Sequence, residues 1–293
     1  MSCCPPSPVR FSLVLATVGR TDTLHRLLTS LAAQTFRSYE LILVDQNPDD
    51  RLGPLLKQWS SSVPCIRIRS ALGVSRARNA GIEQARGQYV CFPDDDCWYP
   101  EDLLQRVSNW FESHIECPLL CICARSENGE EVSSRWPRQS CPVDRSSVLR
   151  TCSSICLFIQ RTAVSRAGGF DEAMGLGSHT RFQAAEDLDL ALRVIECTQP
   201  GWFENSMWAY HPIRDAATAS AARAFSYGSG FGHLLRKHRY GPSVWTYHVL
   251  RAAAGVVRSV LYLRFREAAF YWKSVQGRIA GYCEPVSDFR RSP

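Results

Sequence analysis

Short apolar runs alternate with segments of helical periodicity along the first third of the chain. The apolar runs predict strands that are buried on both faces, and the periodic segments predict helices between them. The predicted strands are Phe11–Thr17, Glu40–Asp45, Ile66–Ile68 and Gln88–Phe92. The predicted helices are Thr23–Thr35 (with Asp22 as its N-cap), Leu52–Ser60 and Ser75–Ala85. This alternation is typical of a doubly wound α/β sheet flanked by helices.

The remaining sequence predicts an extension of the sheet and then a separate helical region. Residues 115–160 are mixed and indicate further strands, followed by a Gly-Gly turn, a helix at Glu186–Ile195 and a last strand at Ser206–Tyr210. The glycine-containing segment Ala173–Gln183 is a candidate lid. We therefore expect a disordered Pro/Ser leader at residues 1–8, an α/β domain at 9–215 and a basic helical region at 216–293.

Polar side chains follow three of the predicted strands. Thr17 ends the first strand, Asp45 ends the second, and the run Asp94-Asp95-Asp96 follows the fourth. Ligands of such sheets bind at the carboxyl ends of the strands, so we expect these residues at one binding edge. The first strand is not followed by Gly-x-Gly-x-x-Gly, and the chain has no Gly-Lys-Ser/Thr loop, which argues against a dinucleotide-binding domain and a P-loop enzyme.

The acidic run is the strongest candidate for chemistry. Three adjacent carboxylates repel one another, and a divalent ion with a bound diphosphate would offset that repulsion. The later pair Glu186-Asp187 could then supply a general base. Two plainer interpretations stay open: the run is a solvated acidic loop, or the pair complements the N-terminal dipole of a helix.

Charge is distributed unevenly along the chain. The net charge is +6; residues 1–215 carry 22 basic and 25 acidic residues, a net −3, and residues 216–293 carry 12 and 3, a net +9. Four arginines interrupt the apolar segment Val244–Trp272, so it is too polar to span a bilayer. It suits an in-plane contact with an anionic membrane, or else packing as a helical pair against the α/β domain.

The 13 cysteines do not form a zinc framework, because their spacing lacks paired ligands. The chain also begins without a basic-then-apolar signal pattern. We therefore expect reduced thiols in a cytoplasmic protein that lies peripherally at the inner face of the cell membrane.

Six motifs, in order, resemble those of the family 2 glycosyltransferases, which have the GT-A fold. They span about residues 10–215 and are Ala16-Thr17-Val18-Gly19-Arg20, Leu41-Ile42-Leu43-Val44-Asp45, Gly73–Gly81, Phe92–Pro100, Gly168-Gly169-Phe170-Asp171-Glu172 and Glu186-Asp187. The resemblance implies a GT-A domain that binds a nucleotide-diphosphate sugar.

The resemblance also implies a role for each matching residue. Asp45 would accept a hydrogen bond from the nucleotide base. The other residues expected to line the nucleotide are Thr17, Arg20, Arg78, Asp94 and Asp95. Asp94 and Asp96 would ligate Mg²⁺ or Mn²⁺ on the diphosphate. His211 is a further candidate ligand of the metal, and Arg214 is a candidate contact of the diphosphate.

Asp187 resembles the family's general base, with Glu186 as the alternative. A base on the face opposite the leaving group implies inversion at the anomeric carbon. The chain lacks the Gln-x-x-Arg-Trp motif of processive synthases, which favours transfer of one sugar to a saccharide or lipid-linked saccharide in envelope glycan synthesis. No nucleic-acid partner is expected. The alternatives are an inactive sugar-nucleotide-binding partner of an assembly complex and a sugar nucleotidyltransferase.

Overall fold

The structure is a computed structural model that describes residues 9–133, 136–213 and 220–285. The chain forms two compact units. The first comprises the described residues up to Ala71, together with Arg76–Gly169 and Leu190–Pro212. The second comprises Leu72–Ser75, Phe170–Asp189 and the described residues from Ile213 onward. The division expected from the sequence, at residues 8 and 215, stays a prediction.

Within the described residues of the first unit, eight strands form one mixed sheet. They are β1 (Phe11–Thr17), β2 (Tyr39–Asp45), β3 (Cys65–Arg69), β4 (Tyr89–Cys91), β5 (Leu119–Arg125), β6 (Cys141–Val143), β7 (Leu157–Gln160) and β8 (Gly201–Tyr210). Their order across the sheet is β3-β2-β1-β4-β7-β5-β8-β6. Strands β1 to β4 pair in parallel, whereas β7 runs antiparallel to both β4 and β5. The predicted mixed α/β architecture is confirmed.

Helices are interspersed with these strands along the chain, and the predicted alternation holds from β1 to β4. They are α1 (Asp22–Ala32), α2 (Gly53–Trp59), α3 (Val74–Gln84), α4 (Leu103–Ser113), α5 (Val148–Thr151), α6 (Arg161–Ala167) and α7 (Glu186–Cys197). Apolar residues at helical spacing on α1 are fully buried: Leu24, Leu27, Leu28 and Leu31. The apolar residues of β1 and β2 are buried on both faces of the sheet, as their continuous hydrophobic pattern predicts.

Two local predictions were wrong. Asp22 is the first residue of α1 rather than its N-cap; Thr21 precedes it and makes no side-chain capping bond. Strand β8 begins at Gly201, five residues before the predicted start at Ser206. Its pairing with β5 shifts register between Ile122 and Cys123, and the polar residues 204–206 at this irregularity conceal the alternation of the strand.

Three helices make up most of the second unit in the part of the chain that the structure describes: α8 (Ala221–Lys237), α9 (Pro242–Leu261) and α10 (Phe265–Cys283). Helices α8 and α10 approach so closely that glycine is required at the contact. An added Cβ would meet a backbone carbonyl oxygen of the other helix at Gly228, Gly232, Gly277 and Gly281.

The longest helix among the described residues is α9, with 20 residues. Across residues 9–133, 136–213 and 220–285, no helix combines the length and the apolar content that crossing a membrane requires.

Candidate functional site

The ends of the parallel strands bring the predicted polar residues of the first unit to one edge. Thr17 and Asp45 are register partners at the ends of β1 and β2. Strand β4 pairs with β1 on its other side, and the acidic run begins three residues after its end at Cys91. The sequence therefore located this edge correctly, and the three acids differ sharply in their surroundings.

Asp95 anchors the acidic loop to the sheet. It is buried, and its carboxylate accepts hydrogen bonds from Thr17 Oγ1 at 2.7 Å and Arg20 Nη1 at 2.8 Å. Burial raises the pKa of Asp95 even though Thr17 and Arg20 act in the opposite direction. In this structure Thr17 and Asp95 thus hydrogen-bond to each other. Their expected contacts with a nucleotide stay predictions.

Two arginines offset the charge of the flanking acids. Arg20 Nη1 lies 2.9 Å from Asp96 Oδ2, and the buried Arg78 places Nη2 3.1 Å from Asp94 Oδ1. Guanidinium groups therefore neutralise much of the repulsion that the sequence indicates. Repulsion between the acids does not by itself require a divalent ion, and the case for a metal depends on the geometry of the donor atoms.

A short bridge brings His211 to the acidic loop. Trp98 N donates to Tyr210 O at 3.1 Å, and Tyr210 N donates to Trp98 O at 2.8 Å. The two rings stack with centroids 5.4 Å apart. His211 is the next residue after Tyr210, and its Nε2 lies 3.3 Å from Asp96 Oδ1. The bridge therefore fixes the register in which the end of β8 meets the acids.

The second ring nitrogen of His211 indicates how the imidazole can act. Its Nδ1 lies 2.7 Å from the carbonyl oxygen of Pro212. A proton on Nδ1 satisfies that carbonyl and leaves the lone pair of Nε2 directed towards the acid side, which is the arrangement of a metal-ligating histidine.

Asp94, Asp96 and His211 could together hold a metal ion. Each offers one ligand atom, and these atoms all lie within 4.8 Å of one another. Two carboxylate oxygens and one imidazole nitrogen suit Mg²⁺ or Mn²⁺ in an oxygen-rich site completed by phosphate. The donor set thus fits the expected ion in spacing and in chemistry.

Asp45 is held by residues that the sequence interpretation missed. It is fully buried, and its carboxylate accepts hydrogen bonds from Asn47 N at 2.8 Å and Arg67 Nε at 2.9 Å. Arg69 Nη1 lies 3.2 Å from the same carboxylate. Burial acts to raise the pKa of Asp45, but the bonds from Asn47 and Arg67 outweigh it and hold the pKa below its ordinary value. Asp45 is therefore kept charged.

The alternation of β3 could have revealed these arginines. Arg67 and Arg69 are two residues apart on a strand, so they share one face of the sheet. In the register of the sheet Arg69 is the partner of Asp45. Basic residues two positions apart, beside a strand that ends in a buried acid, are a detectable signal that the acid is held in its charged form.

The acidic pair in the second unit lies in the first turn of α7. Glu186 and Asp187 are both partly buried, and Asp187 Oδ1 accepts a hydrogen bond from Leu188 N at 2.8 Å. The preceding residue, Ala185, has a φ of 68°, a left-handed conformation that is uncommon outside glycine. Gly175 has a φ of 91°, and a Cβ added there would lie 3.1 Å from the Glu186 carboxyl carbon.

A buried ion network supports the same turn. Asp189 is fully buried, and Lys237 Nζ lies 2.7 Å from Asp189 Oδ1 and 2.7 Å from Asp171 Oδ2. His238 Nε2 lies 2.8 Å from Asp189 Oδ1. The network joins the end of α8 to the start of α7 and to the Gly-Gly-Phe-Asp-Glu turn. The sequence analysis named that turn but missed Asp189, which the spacing Glu186-Asp187-x-Asp189 displays.

The candidate lid is a tightly hydrogen-bonded loop. Gly175 N donates to Phe182 O at 2.8 Å, and Thr180 Oγ1 donates to Ala173 O at 2.6 Å. Gln183 Nε2 donates to Ser178 O at 2.9 Å. Such self-packed loops are often functional, and movement of this one stays a prediction. Arg214, the expected diphosphate contact, lies outside the described residues.

Comparison with known proteins identifies the family. Residues 12–164 match the profile of Glycosyl transferase family 2, which is 153 of 293 residues and so more than half of the chain. The amylovoran biosynthesis glycosyltransferase AmsE of Erwinia amylovora is 25% identical over 199 residues, 65% of this chain and 71% of AmsE.

A second relative shares a shorter region. The Escherichia coli protein WfaP, a UDP-Glc:alpha-D-GlcNAc-diphosphoundecaprenol beta-1,3-glucosyltransferase, is 32% identical over 98 residues. This match covers 33% of this chain and only 39% of WfaP.

Solved structures show the same fold. The mannosyltransferase PcManGT of Pyrobaculum calidifontis, in complex with GDP-Man and Mn²⁺, has a TM-score of 0.64 at 13% identity, over 92% of this chain and 86% of that one. Residues 1–349 of S. aureus TarS, in complex with UDP-GlcNAc, have a TM-score of 0.58 at 15% identity, over 91% of this chain and 90% of that one. The predicted GT-A fold is confirmed.

Proposed function

Because the chain belongs to glycosyl transferase family 2, we propose that it transfers one sugar from a nucleotide-diphosphate sugar to a saccharide acceptor. The observation that carries the proposal is the convergence of Asp94, Asp96 and His211, whose ligand atoms lie within 4.8 Å of one another at the binding edge of the sheet. AmsE acts in amylovoran biosynthesis and WfaP on a diphosphoundecaprenol-linked sugar, which supports polysaccharide synthesis on a lipid-linked acceptor.

The first unit is proposed to hold the donor. Asp45, kept charged by Arg67, would accept a hydrogen bond from a ring N–H of the base. Asp94, Asp96 and His211 would hold Mg²⁺ or Mn²⁺, which supplies positive charge to the diphosphate as it leaves. Thr17, Asp95 and Arg20 keep the acidic loop in position.

Arg20 and Arg78 are proposed to change partners when the donor binds. Each now pairs with a carboxylate of the acidic run, and each carries donors suited to phosphate oxygens. Arg214 is proposed as a further contact of the diphosphate. These groups would bind the donor and orient its anomeric carbon.

Asp187 is proposed as the general base. Asp187 would accept the proton of the acceptor hydroxyl while the hydroxyl oxygen bonds to the anomeric carbon. The bond from that carbon to the diphosphate oxygen breaks, and the electron pair leaves with the nucleoside diphosphate. Attack from the opposite face inverts the anomeric configuration. Glu186 is the alternative base.

Two other functions are less well supported. An inactive sugar-nucleotide-binding partner would not need the metal donor set and the acidic pair, and the chain keeps both. A sugar nucleotidyltransferase would need a glycine-rich, lysine-containing loop that binds a triphosphate. No such loop follows the first strand in the sequence. We also propose peripheral attachment to an anionic membrane, because residues 216–293 carry a net +9 from 12 basic and 3 acidic residues.

A donor panel tests the proposal. The thermal stability of the protein is measured with UDP-, GDP- and dTDP-sugars, each with and without Mn²⁺. We expect one nucleotide class to stabilise the protein in a metal-dependent way and to be slowly hydrolysed. Asp96→Asn should abolish that stabilisation, whereas Asp22→Asn, an exposed acid on α1, should retain it. Equal responses of these two variants would refute the proposed metal site.

A further inference from the structure

Helix α9 carries several of its large apolar side chains on the outside. Apolar residues recur on its exposed face at spacings of three and four residues: Tyr247, Leu250, Ala254, Val257 and Leu261. Its buried face consists of the small residues Ala252, Gly255 and Ser259. A helix that packs on a protein core and faces water with its other side has the reverse arrangement.

The turn from α9 to α10 extends this exposed apolar surface. Leu261 is 76% exposed, Tyr262 70%, Leu263 75% and Phe265 65%. On α10 the exposed surface continues with Trp272 and Ile279. Soluble proteins expose single apolar residues freely, but a contiguous patch of this kind marks a surface that contacts something apolar.

The contacts inside the second unit match this pattern. Helix α8 meets α10 through glycines, at Gly228 and Gly232 on one side and Gly277 and Gly281 on the other. Gly255 of α9 similarly faces the ring of Tyr271. Small residues at helix contacts, with large apolar residues turned outward, are the arrangement found where lipid is the solvent.

Basic residues are interspersed with the exposed apolar residues along this part of the chain. Between residues 241 and 285 the chain has six basic residues (Arg251, Arg258, Arg264, Arg266, Lys273 and Arg278) and two acidic ones (Glu267 and Glu284), a net +4. A second copy of the chain on this surface would bring like charges together. Anionic lipid headgroups have the complementary charge, and acyl chains suit the apolar residues between the arginines.

We infer that the hairpin of α9 and α10 lies in the surface of an anionic bilayer, with residues 261–265 inserted among the acyl chains. The long side chains of Arg264 and Arg266 reach from this turn to lipid phosphates. The inference rests on the peripheral attachment in the proposed function and names the surface that makes it. The arginines keep the hairpin in the interface, because a fully inserted helix would bury their charge.

Vesicle flotation with the full chain tests the insertion. Vesicles of phosphatidylglycerol mixed with phosphatidylcholine are compared with pure phosphatidylcholine. The triple variant Leu261→Ser/Leu263→Ser/Phe265→Ser should bind the anionic vesicles about a hundredfold more weakly, since three apolar side chains lose their burial. Ile115→Ser is the matched control; Ile115 is 63% exposed in the first unit, and this variant should bind normally.

Charge and depth are tested separately. Arg264→Gln/Arg266→Gln should weaken binding to anionic vesicles about tenfold or more, with no effect on neutral ones. Amide hydrogen exchange of residues 257–266 should slow when anionic vesicles are added. Unchanged vesicle binding by the triple serine variant would overturn the inference. Protection of 257–266 on self-association without lipid would overturn it as well and assign the surface to a second copy.

The donor-induced thermal shift of every variant serves as the fold control and should match that of the unaltered protein. If no donor shifts the thermal stability of the unaltered protein, that result would count against the proposed function. A failure confined to vesicle binding would count only against this membrane surface.

Discussion

The two units of the molecule differ in how their elements pack. The sheet of the first unit buries large side chains such as Phe11, Tyr89 and Phe158. The helices of the second unit meet through glycine and leave Leu261 and Leu263 exposed. The contrast teaches that hydrophobic periodicity locates the interior of a protein only where its outer surface faces water.

The ion pairs of the two units also differ in how far they are exposed to solvent. At the strand-end edge of the first unit, Arg20 and Arg78 pair with acids of the acidic run, and the Arg20 side chain is 46% exposed. In the second unit, Lys237 and the acids it contacts are buried. Under the proposed function Arg20 and Arg78 would exchange these acids for the donor, whereas the buried network stabilises one arrangement of the chain.

The largest expected effect comes from comparing variants of Asp187 in the second unit and Asp96 in the first. Asp187→Asn should lower the rate of transfer by about 10²- to 10⁴-fold while leaving metal-dependent donor binding intact. Asp96→Asn should instead lose donor binding itself. Steady-state transfer and donor-induced thermal shift, measured on both variants, check the division. Normal turnover by Asp187→Asn would remove Asp187 from the role of base.

Glycine packing can be broken by one methyl group. Gly281→Ala should lower the free energy of unfolding by about 1–3 kcal/mol, because the new Cβ would overlap the carbonyl oxygen of Ser229. In the control Gly241→Ala, the nearest atom to the added Cβ is 3.9 Å away, and little change is expected. Denaturant unfolding of both variants measures the difference, and equal stabilities would contradict the close packing of α8 on α10.

As the pH falls, the second unit should begin to lose stability at a higher pH than the first. Burial and the Lys237 charge lower the pKa of His233 from its ordinary 6.5. The unfolded chain then binds the proton more readily, so stability is full above about pH 6.5 and falls as pH drops through the lowered pKa. In the first unit, the pKa values of Glu40 and Asp45 are lowered from 4.5 and 3.8, so the corresponding loss begins only below about pH 4.5.

Thermal unfolding is measured between about pH 7.5 and pH 5, the range in which histidine side chains titrate. It tests the difference in acid sensitivity between the two units. His233→Gln should flatten the pH dependence, whereas His25→Gln, an exposed residue on α1, should not. Identical slopes for these two variants would exclude His233 as the source of the acid sensitivity.

The smallest effect concerns the residue before the acidic pair. Ala185→Gly should raise the free energy of unfolding by about 0.5–1 kcal/mol, because glycine adopts a φ of 68° without the strain of a Cβ. Ala253→Gly, within α9, should lower it by about 1 kcal/mol, since glycine is a poor helix former. Opposite signs in a chemical denaturation series are expected; two losses would show that Ala185 is not strained.

Most of the first unit follows from its sequence because strand and helix periods are local properties. The continuous apolar runs predicted β1, β2 and β4, and their polar ends predicted the edge where Asp45 and the acidic run lie. The pairing of Asp95 with Thr17 joins positions 78 residues apart. No local pattern distinguishes that anchoring acid from Asp94 and Asp96 on either side of it.

The second unit was less accessible to pattern analysis. A helical region was predicted, but its buried face could not be identified from apolar content, since Ala252, Gly255 and Ser259 are the buried residues of α9. The partners of Asp189 were equally hidden, because Lys237 and His238 follow about fifty residues later. Contacts between distant charged residues require the folded chain to be seen.

The glycine contacts between α8 and α10 also limit which substitutions this protein can accept during evolution. In an ordinary core, one aliphatic residue replaces another with modest loss. Here the glycine positions admit no larger residue, while the outward positions of α9 tolerate exchange among leucine, valine and phenylalanine. Mutational tolerance in α9 should therefore be greatest at its large side chains and least at its smallest, the opposite of what is expected for the sheet.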